Sequence, residues 1–464
     1  MKFKSAVSIA LWLGLSISRH ATAGVSAQKP YEVLQATNGL TVLAAPMKKV
    51  PLATIVLVAK AGAMTETPET NGLTHVWEHM FFKGNQRLPN QEAFNKRIRQ
   101  LGITYNGDTS AEMVRYYFTL PSKNLADGLQ FMADAIATPL LEPTELERER
   151  KVVLNEYDRN ASQPFFELNN IERMLIYGPK EYLRNPLGRR RLIETTTREQ
   201  LLKIKDEVFV PANSALIVSG DVEPKDLIKL VNQHFAGWKT PAQWKPINRG
   251  PFPAFPDTTD IVKTHPLTQN VNMQLTWKGP TVTAEPKDTW AVDTLIQLLE
   301  HRSGKFFKKY IDSGMTLNSG LGYQTQSQTG EVTLYAMTTA DNATKAKTAL
   351  LAEVGEWIKP NYFSNAQLDD VKRRIKISRK MELNKPSDFG KTLAFWWAVT
   401  GLDYYDQYLK GMDKVTLADV QNFVKKYLIG KPHVGIMLLS PKDAEIAKIQ
   451  DNSGPMAEKF LKNY

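Results

Sequence analysis

The sequence predicts an α+β fold of two homologous halves, each a mostly antiparallel or mixed β-sheet packed with helices on one face. Three observations support this prediction. Segments with apolar residues at every second position occur together with longer segments of helical periodicity. The same order of elements occurs twice along the chain. Between the two occurrences lies a proline-rich segment, residues 241–257, which is typical of a linker.

In the first half, a hairpin is expected at residues 31–46, because Asn38-Gly39 favours a tight turn between two alternating segments. A β-rich run at 53–62, a strand pattern within 103–121 and a second hairpin-like unit containing 212–222 follow it. Helices are expected at Asn90–Leu101, Leu125–Ala137, Thr144–Asn160 and Pro224–Phe235.

The second half repeats this order without obvious residue identity to the first. Strands are expected at residues 270–279, 317–326, 330–339 and 433–440. Helices are expected at Lys287–Leu299, Thr344–Ile358 and Ala366–Leu383. Two halves of about 200 residues each indicate a duplication.

The composition is that of a globular protein. The chain has 464 residues, of which 42% are apolar and 23% charged, enough for two to four domains and a large core. The net charge of +11 fits solubility, or a preference for acidic peptides or anionic surfaces. The densest basic run, Arg189–Arg191, is too short to indicate nucleic-acid binding. The sequence has no cysteine, which excludes disulfides, thiol nucleophiles and thiolate metal ligands.

The N-terminal segment has the pattern of a cleaved secretory signal. Two lysines precede the apolar run Ala6–Ile17, and the small residues Ala21–Ala23 would allow cleavage before Gly24. Loss of residues 1–23 removes three basic residues and no acids, which would leave a charge of about +8. The alternative is an uncleaved anchor helix, but the run is short for a membrane span and Arg19 follows it. We expect a periplasmic or secreted protein with no later transmembrane segment.

The strongest chemical signal is the segment NGLTHVWEHMFFKG, residues 71–84. On a helix, His75 and His79 lie one turn apart on one face with Glu78 beside them, and the opposite face is apolar. The pattern H-x-x-E-H is a known zinc signature. The alternative is that one of the two histidines is a core residue. The isolated histidines are interpreted as structural: His234, His265, His301 and His433.

A catalytic zinc site generally takes three protein ligands, so a further ligand is required. The segment 142–160 supplies the candidates Glu149 and Glu156, which are seven residues apart and share a helix face. Thr144 and Glu147 have the spacing of a capping box, which predicts the start of this helix. Carboxylates near an apolar stripe are seldom buried without a partner, and a divalent cation would be one. A solvated, charged helix is the alternative.

The motif HVWEH followed by this glutamate pair resembles the pitrilysin/insulinase-type zinc metallopeptidases, the inverzincins, which include the mitochondrial processing peptidases. The resemblance is to a zinc-binding subunit of the processing-peptidase-like branch, with chains of roughly 450 residues. It implies that His75, His79 and Glu156 bind one zinc ion. It also implies that Glu78 is the catalytic base and that Glu149 supports the ligands.

The resemblance further implies a substrate-binding strand. In the family, an Asn-Ala-x-Thr motif lies on an open sheet edge that pairs with the substrate main chain, and the match here is Asn106-Gly107-Asp108-Thr109. Asn106 and Gly107 are therefore candidate substrate-binding residues. Gly107 replaces the usual Ala and Asp108 the usual aromatic residue, so the adjoining pocket should differ in shape. A purely structural strand is the alternative.

The second half has no zinc motif. In the family, this half carries an Arg and a Tyr that hold substrate, on a helix and loop ending in Gly-Leu-Ala-Tyr. A gap-free alignment of residues 303–319 places Tyr310 at the Arg position and Leu317 at the Tyr position. Lys308 or Lys309 could replace the Arg, but neither is in register, and Leu317 cannot donate a hydrogen bond.

These observations predict an exported zinc endopeptidase subunit that cleaves peptides or unfolded segments, with the zinc-bound water activated by Glu78. A homologous subunit would supply the missing Arg and Tyr in a heterodimer, because a homodimer would lack both residues twice. The alternative is a non-catalytic member that binds peptides or acts as a scaffold. The predicted division is a signal peptide (1–23), a zinc-binding catalytic domain (30–240), a linker (241–257), a C-terminal domain without a metal site (258–445) and a tail (446–464).

Overall fold

Two β-sheets, one in each half, organise residues 29–463, which are the part of the chain that the computed structural model describes. The predicted signal peptide lies outside these residues. The first sheet has six strands, and its order is β1-β2-β6-β3-β5-β4. The strands are β1 (Glu32–Gln35), β2 (Thr41–Pro46), β3 (Leu52–Ala59), β4 (Thr104–Thr109), β5 (Val114–Pro121) and β6 (Ser214–Gly220).

The hairpin predicted around Asn38-Gly39 is confirmed, because β1 and β2 pair antiparallel across Gly39, whose φ is +88°. The prediction of a second hairpin-like unit around residues 212–222 is wrong, because this segment forms a single strand, β6. β6 lies between β2, to which it is parallel, and β3, to which it is antiparallel. All seven of its residues are buried, as expected for a central strand with a partner on each side.

The second sheet repeats this arrangement with five strands in the order β7-β11-β8-β10-β9. The strands are β7 (Thr259–Thr264), β8 (Val271–Gly279), β9 (Asn318–Gln324), β10 (Gly330–Thr338) and β11 (His433–Leu439). β7 and β11 are parallel, and the other pairs are antiparallel. The last strand of each half thus inserts beside the strands that begin it, and β9 occupies the edge position that β4 has in the first sheet.

Helices surround both sheets. In the first half they are α1 (Leu73–Met80), α2 (Gln91–Leu101), α3 (Leu125–Ala137), α4 (Pro143–Ala161), α5 (Phe165–Tyr177), α6 (Arg190–Glu194), α7 (Arg198–Val208) and α8 (Pro224–His234). In the second half they are α9 (Pro286–Leu299), α10 (Lys305–Phe307), α11 (Ala343–Glu356), α12 (Asn365–Glu382), α13 (Pro386–Val399), α14 (Leu402–Lys414), α15 (Leu417–Tyr427), α16 (Pro441–Ala447) and α17 (Gly454–Asn463).

Between α8 and β7 the described chain forms no helix or strand. The C-terminal residues include α17, whose Met456 and Ala457 pack against the same apolar cluster as α5. Across residues 29–463, no helix combines the length and the apolar composition that crossing a membrane requires.

The two halves exchange helices. One face of the first sheet packs on helices of its own half, and the other face is covered by α13, whose Phe389 and Leu393 lie in one cluster with Val56. Conversely, α5 of the first half packs Ile171 into a cluster with Ile436 of the second sheet. Each sheet is therefore covered on both faces, with the second cover supplied by the other half.

Candidate metal centre

α1 turns one face into the core of the first half and the other toward α4 and β4. Its buried apolar residues are Leu73, Val76, Trp77 and Met80. Trp77 also stacks on Phe209, with ring centroids 5.1 Å apart. This apolar packing fixes the rotation of the helix about its axis. His75, Glu78 and His79 consequently line a cavity on the opposite side.

α4 lies beside α1 and supplies Glu149 and Glu156 from one face. Glu149 is only 5% exposed, and Glu156 is half-buried. The predicted capping by Thr144 is wrong, because the helix already starts at Pro143 and the N-cap residue, Glu142, makes no side-chain cap bond. Proline fits the first helical position because its missing N–H would have no partner there. Thr144 therefore lies inside the first turn.

Three side chains meet between these helices. Nε2 of His75 lies 3.9 Å and Nε2 of His79 lies 3.7 Å from Oε2 of Glu156. The donor atoms of this group all lie within 4.8 Å of one another. In a tetrahedral zinc site with bonds of about 2.0–2.1 Å, neighbouring donors are about 3.4 Å apart. The group therefore fits a zinc ion after small side-chain shifts.

A second carboxylate orients His79. Nδ1 of His79 is 3.2 Å from Oε2 of Glu149, and Nζ of Lys83 is 2.7 Å from the other oxygen of that carboxylate. When the Nδ1–H donates to Glu149, Nε2 keeps its lone pair on the side of Glu156. Such an outer hydrogen bond is usual for histidines that bind metals, because it fixes both the tautomer and the ring orientation.

Glu78 lies between this group and the edge strand β4. Thr109 of β4 donates its hydroxyl to Oε2 of Glu78, over 2.9 Å. Oε1 packs against Gly107, where a Cβ would lie 2.7 Å from that oxygen. Burial raises the pKa of Glu78 to about 7, against the opposing charge of His79 and the hydrogen bond from Thr109.

The electrostatics favour a positive charge near His79. Burial lowers the pKa of His75 to about 4, assisted by the charge of His79. Burial also acts to lower the pKa of His79, but the hydrogen bond to Glu149 and the contact with the Glu156 carboxylate, 3.7 Å away, outweigh it and raise the pKa to about 9. The same contact with His79 lowers the pKa of Glu156. The carboxylates thus stabilise a cation where the donor atoms converge.

β4 is the outermost strand of its sheet, so one of its edges has no partner strand within the described residues. The amide of Gly107 donates to Oδ1 of Asn106, over 2.9 Å. Asp108 points to the face opposite Glu78, since neighbouring residues of a strand alternate. There it binds Nε of Arg115 at 2.7 Å, and Arg115 also donates to the carbonyl of Lys391 in α13. The unusual Asp108 is thus satisfied by an ion pair.

One cavity of about 480 Å³ collects all the side chains that the sequence assigned to catalysis, metal binding or substrate binding. These residues are His75, Glu78, His79, Asn106, Gly107, Glu149 and Glu156. The structure adds Lys83 to this group, and it shows that Thr109, named above only as the last residue of the edge-strand motif, contacts Glu78. Lys83 is four residues after His79, and this spacing was a usable signal. The contact of Thr109 with Glu78 depends on the packing of β4 against α1 and had no local signal.

Comparison with known protein families agrees with this geometry. Residues 41–178 match the family model described as Insulinase (Peptidase family M16), and residues 195–375 match the model described as Peptidase M16 inactive domain. This chain belongs to peptidase family M16. Both M16 models fall within the part of the chain that carries the two sheets and the metal centre.

Similar M16 proteins include the zinc protease PqqE of Helicobacter pylori, which is 26% identical over 438 residues, or 89% of this chain and 92% of that protein. A mitochondrial-processing peptidase subunit beta of Lentinula edodes is 29% identical over 208 residues, 44% of each chain. The crystal structure of the periplasmic protease PqqL from Escherichia coli shares the fold, with a TM-score of 0.76 and 18% identity over 93% of this chain and 50% of that one.

The second half of this M16 chain places Tyr310 in its core. The Tyr310 hydroxyl donates to the carbonyl of Ala349, over 2.9 Å, and contacts Oε2 of Glu353. Lys309 is bound to the same carboxylate of Glu353. Leu317 is 50% exposed. Neither position aligned with the family's Arg and Tyr therefore presents such a side chain to a substrate.

Proposed function

We propose that this chain is a zinc-dependent endopeptidase subunit that hydrolyses peptide bonds in peptides or unfolded segments. The observation that carries the proposal is the convergence of His75, His79 and Glu156 next to Glu78 and the edge strand β4. Three protein donors are the ligand number of catalytic zinc, since structural zinc normally closes with a fourth. Membership in a peptidase family supports the same reading.

The roles follow from the contacts. Zinc held by His75, His79 and Glu156 would polarise the scissile carbonyl and make the attacking water more acidic. Glu78 accepts a proton from that water and returns it to the leaving amine nitrogen. Thr109 orients the Glu78 carboxylate through its hydrogen bond. Glu149 holds His79 in place and is itself held by Lys83.

The substrate adds to the first sheet as an extra strand beside β4. Main-chain hydrogen bonds along an edge strand give affinity with little sequence preference, and neighbouring pockets give selectivity. The Gly107 amide would exchange its bond with the Asn106 side chain for a bond to the substrate. Such pairing would bring a scissile carbonyl beside Glu78, a proposal that is supported by the contacts of Gly107 and Thr109 with the Glu78 carboxylate.

The working enzyme is a heterodimer whose homologous partner donates an Arg and a Tyr. Tyr310 is buried and Leu317 is apolar, so the family's substrate-holding pair has no equivalent at these positions. The Lentinula edodes relative is named a subunit, and the PqqL chain is about twice the matched length, which fits a pairing of M16 units. A cleaved signal near Ala23 and the periplasmic designation of PqqL support an exported location.

The competing function is a non-catalytic M16 member that binds peptides or serves as a scaffold. The description of the second family model as an inactive domain keeps this alternative open. The complete set of His75, Glu78, His79 and Glu156 argues against it, since a scaffold has no use for a base beside a metal site.

The decisive experiment combines metal analysis with hydrolysis of a quenched fluorogenic peptide. We expect one zinc per chain, weak hydrolysis by the isolated chain, and stimulation by a homologous subunit carrying the Arg and Tyr without added zinc. The Glu156→Gln variant should retain much less zinc. Full zinc in that variant would move the third ligand elsewhere. Zinc binding without hydrolysis, even with the partner, would favour the scaffold. Full activity of the chain alone would refute the partner requirement.

A further inference from the structure

The metal-binding helix is short. α1 has eight residues and carries His75, Glu78 and His79. A helix of this length is marginal on its own, so its position depends on what holds its ends and its apolar face. The core fixes the apolar face, as described above. The beginning of the helix is held by Glu66, a residue outside the sequence motifs described above.

Glu66 follows a 3-10 turn at Ala63–Thr65 and is 2% exposed. Its Oε2 accepts hydrogen bonds from Nδ2 of Asn71, at 2.9 Å, and from the amide of Gly72, at 2.8 Å. Its Oε1 accepts from the amide of Thr74, at 2.9 Å, and from the Thr74 hydroxyl, at 2.7 Å. The carboxylate thus binds two amides that begin α1, which lack partners within the helix.

The donors around Glu66 suit a carboxylate and not an amide. Each oxygen receives at least one N–H group, and an N–H can only donate. A glutamine would turn its own NH2 toward one of these groups and lose that hydrogen bond. Burial raises the pKa of Glu66, and the four hydrogen bonds oppose that shift. The positive end of the helix dipole also favours an anion here.

The opposite side of the same helix end is also fixed. Nδ2 of Asn71 contacts the carbonyls of Tyr182 and Asn185, and the amide of Arg189 donates to the carbonyl of Asn71. A Cβ on Gly188 would lie 2.2 Å from the Cα of Gly72, so this backbone contact has no spare room. Glu66 can therefore hold the start of α1 in one position, packed against the backbone around Gly188.

We propose that Glu66 is a positioning residue. It fixes the position of α1 along its axis and its rotation about that axis, and thereby orients His75 toward the metal. It acts through Thr74, the residue directly before His75, and touches none of the three candidate ligands. The inference rests on the proposed zinc-dependent function. A loss at Glu66 should lower metal affinity by displacing a ligand, as outer hydrogen-bond partners of metal sites do.

The test compares Glu66→Gln with Glu353→Gln. Glu353 is a carboxylate of the second half that is 1% exposed and accepts hydrogen bonds from Tyr310 and Tyr362. We expect Glu66→Gln to weaken zinc binding about 10–100-fold in a chelator competition and to alter the visible spectrum of the cobalt-substituted protein. In the metal-free protein, hydrogen exchange should become faster within α1. Glu353→Gln should lower thermal stability but leave zinc affinity and the cobalt spectrum unchanged.

Zinc affinity of Glu66→Gln within twofold of the original protein would overturn the inference, as would an equal loss in Glu353→Gln. If Glu66→Gln does not fold, Thr74→Val decides, because it removes only the hydroxyl bond to Glu66; it should weaken zinc binding in the same direction by a smaller factor. A Thr74→Val protein with unchanged affinity would then overturn the inference. If the unaltered protein binds no zinc, the proposed function fails, and hydrogen exchange in α1 still tests the anchoring by itself.

Discussion

Helices α1 and α4 of the first half correspond in position to α9 and α12 of the second. In both halves the first helix follows a central strand and contacts the second helix. α1 and α4 bring imidazoles and carboxylates together, whereas α9 buries Val292, Leu295 and Leu298 in an apolar core. At its solvent face, α12 exposes basic residues such as Arg373 and Lys376. The same arrangement of helices thus brings polar side chains together in the first half and packs an apolar core in the second.

This contrast between the two halves predicts that a substitution of Glu78 has the largest effect on peptide hydrolysis. Glu78→Gln should lower peptide hydrolysis by about 10²–10⁴-fold while zinc stays bound, because the base is lost and the ligands remain. The matched control is Asp293→Asn on α9, where the carboxylate accepts a hydrogen bond from Tyr408. Hydrolysis with the partner subunit present, together with metal analysis, measures both variants. Equal losses of activity would show that the halves do not divide the work as proposed.

The exchanged helices predict an effect on stability that crosses between the halves. Phe389→Ala in α13 should lower the free energy of unfolding by about 3–5 kcal/mol, because Phe389 is fully buried against the first sheet. Denaturant unfolding measures this loss, and hydrogen exchange in β3 should become faster. Ile377→Ala on the exposed side of α12 is the control, with an expected change within about 0.5 kcal/mol. A loss of stability in the second half alone would contradict the exchange.

Substitution of Glu149 should weaken zinc binding less than substitution of a zinc ligand. Glu149→Gln should weaken zinc binding about 10–100-fold, because Glu149 contacts His79 and Lys83 instead of completing the donor group. Chelator competition gives the affinity. If Glu149→Gln lost as much zinc as Glu156→Gln, Glu149 would have to be counted as a ligand.

Substitution of Gly107 should have the smallest effect on peptide hydrolysis. In Gly107→Ala the new Cβ would lie 2.7 Å from Oε1, 3.1 Å from Cγ and 3.2 Å from Cδ of Glu78, so this flexible side chain has to shift. We expect hydrolysis to fall by less than about tenfold, with unchanged zinc content. Gly322→Ala, on the corresponding edge strand β9, meets only an ordinary contact with the carbonyl of Thr333 and is the control. A large loss in Gly107→Ala would mean that Glu78 cannot adjust.

Local sequence patterns predicted the hairpin, the residues that meet in the candidate site and the helices α1–α4, α8, α9, α11 and α12. They did not predict the other helices of the described residues, among them α5 and α13, which cover the sheet of the other half. His75 and His79 lie one turn apart, and Glu149 and Glu156 lie two turns apart, so helical periodicity alone gives their shared faces. The metal, catalytic and substrate roles of these residues stay predictions. The parallel pairing of β6 with β2 was missed, because strand partners about 170 residues apart leave no local pattern.

Contacts between elements that are distant in sequence could also not be predicted from local sequence patterns. The hydrogen bond from Thr109 to Glu78 requires β4 and α1 to be docked, and the bonds that Glu66 accepts require a turn of the chain before the start of α1. The buried hydroxyl of Tyr310 contacts Glu353 of α11, which is 43 residues further along the chain. The amphipathic pattern of α5 or α13 also does not identify the sheet that the helix covers. Periodicity shows that a face is apolar but does not identify its partner.

The exchange of α5 and α13 also has a consequence for how the protein is made. As the chain is synthesised, the first sheet is complete only at Gly220, where its central strand β6 ends, and its outer apolar face stays uncovered until α13 ends at Val399. At about 5–20 residues per second, this interval lasts roughly 10–40 s. During that time the nascent first half presents a bare hydrophobic sheet, a state that calls for a chaperone or for transport of the chain before it folds. Synthesis of the first half alone would leave that surface permanently bare.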